Sequence, residues 1–216
     1  MVLILRKQYL SIGRQNRIEF EEKRSRFIAT VKPVSAEEET IAFINDIRAE
    51  HRTASHNVYA YCTSDPTGNK RYSDDGEPQG TAGIPVLNVI EKNGLEDIVI
   101  VVTRYFGGTL LGAAGLVRAY SRAAAMAVDG AGIVRYTLCE NIHVVIGYQY
   151  YSVLKSEIET RGFAVKDLEF GLDVELTVQV DMEASDNFIS RVADLSAGSG
   201  IAEKSGVSYS CQSINT

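Results

Sequence analysis

The chain has 216 residues, 45% of them hydrophobic and 23% charged, with a net charge of −6. This is the make-up of a globular protein with room for one large domain or two small ones, and no apolar run approaches the roughly 18–20 residues that cross a bilayer. Residues 1–132 carry 16 Lys and Arg against 16 Asp and Glu, whereas residues 133–216 carry 6 against 12, which excludes a nucleic-acid binder that is basic throughout and leaves room only for a local basic patch in the first part.

The opening MVLILRKQYL is too short for a signal segment and carries its charge on the wrong side, so a cytoplasmic location is expected. Arg17 to Val34 reads as extended, with Arg24 and Arg26 on one face. Ser35 and Glu38 have the spacing of a capping box, and Ile41, Ile44, Ile47 and Arg48 continue it as a helix to about Glu50. His56 to Cys62 alternates as a strand, and Asp65-Pro66-Thr67-Gly68 closes it with turn chemistry. The polar, glycine-bearing segment Tyr72 to Gly80 is expected to be a loop. Thr81 to Leu95 reads as a helix, with Pro85 tolerated in its first turn and Gly94 as its stop.

The β-branched run Ile98 to Val102 predicts a strand buried on both faces. It leads through Arg104-Tyr105-Phe106-Gly107-Gly108 into an Ala- and Gly-rich helix, Gly112 to Val128, whose small residues predict close packing on a sheet. Gly130 and Gly132 end that helix at the expected domain boundary, giving domains 1–131 and 132–216. The second part reads strand (Val134 to Ile146), helix (Tyr151 to Ile158, stopped by Gly162), hairpin (Phe163 to Phe170 and Leu172 to Val180), helix (Phe188 to Leu195) and strand (Ile201 to Cys211). That β-α-β-β-α-β order belongs to ferredoxin-like domains. Cys62, Cys139 and Cys211 are widely spaced and without C-x-x-C, so they read as small buried apolar residues.

The residues that fit no core pattern collect between Ser55 and Arg122. Gly107, Gly108, Gly112 and Gly115 lie at a strand-to-helix junction with Arg104 before it and Arg118 and Arg122 after it. Such a junction attracts anions, yet it matches neither of the standard glycine-rich nucleotide loops; tight packing or a backbone-phosphate contact accounts for it as well. Asp74, Asp75 and Glu77 have the chemistry to bind a hard cation, to act as acid and base, or to order a glycine loop. Ser55 and His56 point to opposite faces of a strand, which disfavours a triad. Arg71-Tyr72, Arg104-Tyr105 and Arg118-x-Tyr120 pair cations with rings, as single-stranded RNA sites do and as sheet cores also do.

These segments are also specific in their wording. KRSRFI (Lys23 to Ile28), Ser55-His56 with Ala60-Tyr61, SDDGEPQGTAGIP (Ser73 to Pro85), RYFGGTLLG (Arg104 to Gly112) and GLVRAY (Gly115 to Tyr120) resemble the YigZ/IMPACT family over residues 20–130. The resemblance implies an α+β protein of two domains. The first is similar to domain IV of elongation factor G, and the second, ferredoxin-like, to domain V of that factor. It further implies a module that binds nucleic acid or the translation apparatus. Eukaryotic members restrain a starvation-activated kinase through an extra N-terminal module that has no counterpart here, so the kinase role is not expected. Ala113-Ala114 stands where the family typically has a second glycine, which argues against a phosphate loop.

The resulting expectation is one groove lined by Arg24, Arg26, His56, Asp74, Asp75, Gly76, Glu77, Gly80, Thr81, Arg104, Tyr105, Gly107, Gly108 and Arg118. Its arginines are expected to meet phosphate or carboxylate, and the GEPQGTAG segment to present backbone donors. The expected function is a non-enzymatic module that binds RNA, the ribosome or a translation-linked protein, without a cofactor or metal and without a membrane. The alternatives are a hydrolase or transferase using Asp74, Asp75, Glu77 and His56, and a protein-only adaptor. Catalytic residues and oligomeric state are not readable from the sequence.

Overall fold

The computed structural model describes residues 5–64 and 69–214; the expected turn at Asp65 to Gly68 lies outside them. The chain divides into two compact units, one built on Tyr9–Arg135 and the other on Tyr136–Cys211 with Leu5–Gln8. Both mix helices with an antiparallel sheet. Among the described residues no helix is long and apolar enough to cross a membrane.

In chain order the first unit contains β1 (Gln8–Ile12), β2 (Asn16–Glu22), β3 (Ser25–Pro33), α1 (Glu37–Glu50), β4 (His56–Cys62), β5 (Lys70–Ser73), α2 (Gly83–Lys92), β6 (Ile98–Tyr105) and α3 (Ala113–Ala131). Its main sheet runs β2-β3-β6-β4-β5, antiparallel throughout. The central position of β6 explains its unbroken apolar run. Ile98, Ile100 and Val102 face the core beneath α2 and α3. Val99 and Val101 face the other way, against Phe43, Ile44 and Ile47 of α1. Ala119, Ala123, Ala124 and Ala127 are buried on α3, and their lack of bulk lets that helix lie close on the sheet.

Several details depart from the expectations. The extended run from Arg17 to Val34 breaks into a hairpin: Glu22 pairs with Ser25, and Lys23 and Arg24 make the turn with φ of 47° and 66°. Two left-handed residues match the twist of paired strands, but they take Arg24 off the strand face that carries Arg26. Helix α1 starts at Glu37, and it is Glu39, not Glu38, whose carboxylate accepts from the Ser35 N–H at 2.9 Å. Ile41 is exposed, because Thr40, Phe43, Ile44 and Ile47 form the buried stripe. Tyr72 and Ser73, expected in a loop, belong to edge strand β5. Its polar, exposed residues carry no alternation to read.

The second unit contains β7 (Ile133–Ile146), which begins at the end of the first, then α4 (Tyr148–Arg161), β8 (Ala164–Phe170), β9 (Val174–Asp181), α5 (Ser185–Leu195) and β10 (Ile201–Ser213). Strand β7 pairs with β9 on one side and with β10, and β9 pairs with β8. This is the β-α-β-β-α-β arrangement expected. Ile142, Val144 and Ile146 pack with Leu154 and Ile158 of α4 and Phe188 and Val192 of α5. Leu172, expected to open the second hairpin arm, is a fully exposed turn residue. Cys62 and Cys139 are buried, but Cys211 is exposed, so the buried-apolar reading fails for it: its strand, β10, is exposed over much of its length.

Past β6 the chain passes over the β2–β3 turn through two glycines of different kinds. A Cβ on Gly107 would overlap the Arg24 carbonyl, whereas Gly108, at φ +83°, has open space around it. Gly107→Ala is expected to cost about 3 kcal/mol, since backbone is what it strikes, and Gly108→Ala about 1 kcal/mol from its left-handed conformation alone. Urea unfolding of the two variants checks this; equal losses contradict the close approach.

Candidate functional site

The acidic segment between β5 and α2 is a structural knot. Asp74 accepts from the amides of Ala82 at 3.1 Å and Gly83 at 2.8 Å through Oδ1, and of Gly80 at 2.8 Å through Oδ2. It thereby caps α2, whose own N-cap Ala82 has no side-chain oxygen to offer. Thr81 donates its hydroxyl to the Pro78 carbonyl at 2.6 Å. The amides of GEPQGTAG, expected to face a ligand, are thus in part spent on Asp74.

Asp75 takes the left-handed conformation, φ 44°, followed by Gly76 at 87°. Its Oδ2 accepts from the Asn57 amide at 2.6 Å, and its Oδ1 faces Arg48 at 3.2 Å. Its carbonyl oxygen lies 2.8 Å from His56 Nδ1. A carbonyl only accepts, so Nδ1 carries a proton and donates it, and Nε2 lies 3.8 Å from Oε1 of Glu77.

Glu77 and Arg104 form a buried ion pair, with Arg104 Nη1 at 2.7 Å from Oε1 and side-chain exposures of only 5% and 3% for Arg104 and Glu77. The same oxygen accepts from the Tyr120 hydroxyl of α3 at 2.7 Å. Burial and the adjoining Glu77 charge hold that hydroxyl protonated far above the usual tyrosine range. Arg104 Nη2 donates to Ser25 Oγ at 3.1 Å, and its guanidinium lies 5.5 Å from the Phe27 ring and 5.4 Å from the Phe106 ring. Its Nε has no partner.

Above this pair opens a cavity of about 380 Å³, lined by His56, Gly76, Glu77, Arg104, Phe106, Leu110, Leu111 and the start of α3. Phe106 is 47% and Leu110 83% exposed. On the other side of Leu111 lies a second hollow of about 220 Å³, lined by Lys23, Arg118 and Arg122 with Glu22. All three cations are exposed; Arg122 also covers the Phe20 ring at 4.7 Å.

The predicted groove is therefore divided. His56, Gly76, Glu77 and Arg104 share the first cavity, Gly107 and Gly108 follow it in the chain, and Arg118 lines the adjoining hollow. Arg24 makes the turn beneath Gly107. Asp74, Gly80 and Thr81 serve the α2 cap. Arg26 and Tyr105 lie on the opposite face of the sheet, because neighbours on a strand alternate. There Arg26 pairs with Glu19 and covers the Tyr105 ring, and the Tyr105 hydroxyl meets His51 Nδ1 at 2.9 Å. Arg104, expected to meet phosphate, is enclosed by its own partners. Ser25, Phe106 and Leu110 are site residues that the sequence reading missed. Tyr120, paired there with Arg118 as a ring for RNA or for the core, is a fully buried residue whose hydroxyl donates to Glu77. Among the described residues, no three His, Cys, Asp or Glu side chains gather in a way that holds a metal ion.

The family model for the Impact N-terminal domain matches residues 23–128, and the model described as Domain of unknown function (DUF1949) matches residues 144–199. The IMPACT family member YvyE of Bacillus subtilis is 32% identical over 96% of this chain and 95% of its own. The IMPACT family member YigZ of Escherichia coli is 32% identical over 83% of this chain and 89% of its own. A crystal structure described as a hypothetical protein superposes with a TM-score of 0.60 at 30% identity, covering 93% of this chain and 98% of that one.

Breaking the buried pair from one side leaves a charge without compensation. Glu77→Gln is expected to destabilise the protein by about 3–5 kcal/mol, while the double variant Glu77→Met/Arg104→Met loses much less than the two single changes together. Chemical denaturation of the three variants measures the coupling; additive losses contradict it.

Proposed function

The chain belongs to the IMPACT family, and on that premise we propose that its first unit is a non-enzymatic module that contacts RNA, free or in the ribosome, in the service of translation in the cytoplasm. The observation that carries this reading is the cluster of exposed cations, Lys23, Arg118 and Arg122, around one hollow. Exposed aromatic and aliphatic surface, Phe106 and Leu110, stands next to it. Cations for phosphates beside a ring for bases is the combination that grips single-stranded RNA. The link to translation rests on the family resemblance. The acidic second part, with 6 Lys and Arg against 12 Asp and Glu over residues 133–216, leaves the first unit to meet phosphate.

The acids that a hydrolase or transferase would need are occupied: Asp74 with three amides, Asp75 with Asn57 and Arg48, Glu77 with Arg104 and Tyr120. Affinity for a short single-stranded RNA is expected to fall steeply with salt. The double variant Lys23→Ala/Arg118→Ala is expected to weaken binding and to lower the slope of log affinity against log salt by about 1.4, since each lost phosphate contact on a single strand contributes about 0.7. Fluorescence anisotropy over a salt series measures both. An unchanged slope overturns the assignment of these residues, and absence of binding overturns the reading itself.

A further inference from the structure

We propose that the cavity over the Glu77–Arg104 pair is a binding site for a carboxylate carried on an apolar body, whether a small apolar acid or the free C-terminus of a peptide ending in an apolar residue. This goes beyond the RNA reading and does not depend on it, because the cations for phosphate stand around the adjoining hollow.

What the cavity offers a ligand at its polar end is donors. Helix α3 begins there: Gly112 and Ala113 line the cavity, and the N-cap Gly112 has no side chain to accept from the first turn. The amides of Ala113, Ala114 and Gly115 have no acceptor among the described residues. The positive end of a 19-residue helix is thus left open. A second, independent donor belongs to Arg104, which lines the same cavity and is only 4% exposed. Its Nη1 and Nη2 are taken by Glu77 and Ser25, but its Nε is sealed from water without a partner. A buried donor in that state calls for an acceptor.

The charge around the cavity decides which acceptor. Glu77, the acid in the lining, is matched by Arg104 and by the Tyr120 hydroxyl, both at Oε1. His56 donates from Nδ1 to the Asp75 carbonyl, and its Nε2 lies 3.8 Å from Glu77. What is left over is the helix end, equivalent to about half a positive charge, with one guanidinium N–H. That suits a singly charged carboxylate and falls short of a phosphate dianion, whose counter-charges Lys23, Arg118 and Arg122 line the other hollow. The remaining walls are apolar: Pro78, Phe106, Leu110, Leu111 and Leu116. Phe106 and Leu110 are exposed, and an apolar body seated against them removes that surface from water. At about 380 Å³ the cavity falls within the range of small-molecule sites, roughly 300–1,000 Å³.

The test varies the ligand first, so that the fold is untouched. Phenylbutyrate, its amide, and an acetylated Ala-Ala-Leu tripeptide with a free or an amidated C-terminus are titrated into the full-length protein by calorimetry, with inorganic phosphate as competitor. At least one of the two acids is expected to bind, its amide to bind at least about tenfold more weakly, and phosphate not to displace it. The tighter of the two acids names the source, a free acid or a chain end. Ala113→Pro deletes one free amide at the helical position that tolerates proline; it is expected to keep the melting temperature and to lose about tenfold in affinity for the acid. Amides that bind as tightly as the acids overturn the anion site, and displacement by phosphate overturns the choice of carboxylate. Unchanged binding to Ala113→Pro overturns the role of the α3 amides. Absence of binding by both acids overturns the proposal as a whole.

Discussion

One buried charge pair, Glu77 with Arg104, ties together the parts of the first unit that are far apart in sequence. Glu77 comes from the acid-glycine turn, Arg104 from the end of the central strand, Tyr120 from the second turn of the long helix, and Ser25 from the start of β3. Each group is nearly sealed from water, so each needs the others to be stable where it is. The pair works as a register pin: the turn, the strand end and the helix are held in one arrangement, and any shift among them leaves a charge unmatched. The cavity exists because that pin holds its floor while the chain from Phe106 to Gly112 passes above it.

The same economy governs the acids beside it. Asp74 replaces the side-chain cap that α2 lacks, and Asp75 fixes a left-handed turn that aims its carbonyl at His56. Both residues hold the site in place, Asp74 by fixing the turn and Asp75 by fixing the orientation of the ring. Charge is divided along the chain to match: cations stand exposed around the second hollow, while the acidic excess resides after residue 132.

Much of this was legible in the letters. The β6 run, the small-residue face of α3 and the β-α-β-β-α-β order of the second unit follow from periodicity, because burial on one or two faces writes itself into alternation and helical spacing. The site segments were legible as a set, since glycines, acids and arginines without a core pattern collect there. Their pairing was not. Whether Arg104 faces solvent or Glu77 depends on the register of β3, β4 and β6, which no local pattern encodes. Arg26 and Tyr105 went to the other face by the alternation of a single strand, and Arg24 left its strand at a turn built without the usual asparagine or glycine. Phe106 and Leu110 read as ordinary apolar residues, and only the chain path past Gly107 leaves them exposed.

Hydrogen–deuterium exchange of the intact protein, with and without a short single-stranded RNA, tests the account most directly. Protection is predicted at residues 22–25 and 106–118, the turn and junction that line both hollows, with residues 164–181 unchanged. Protection confined to residues 164–181, or to the α1 face around Tyr105 and Arg26, would contradict it.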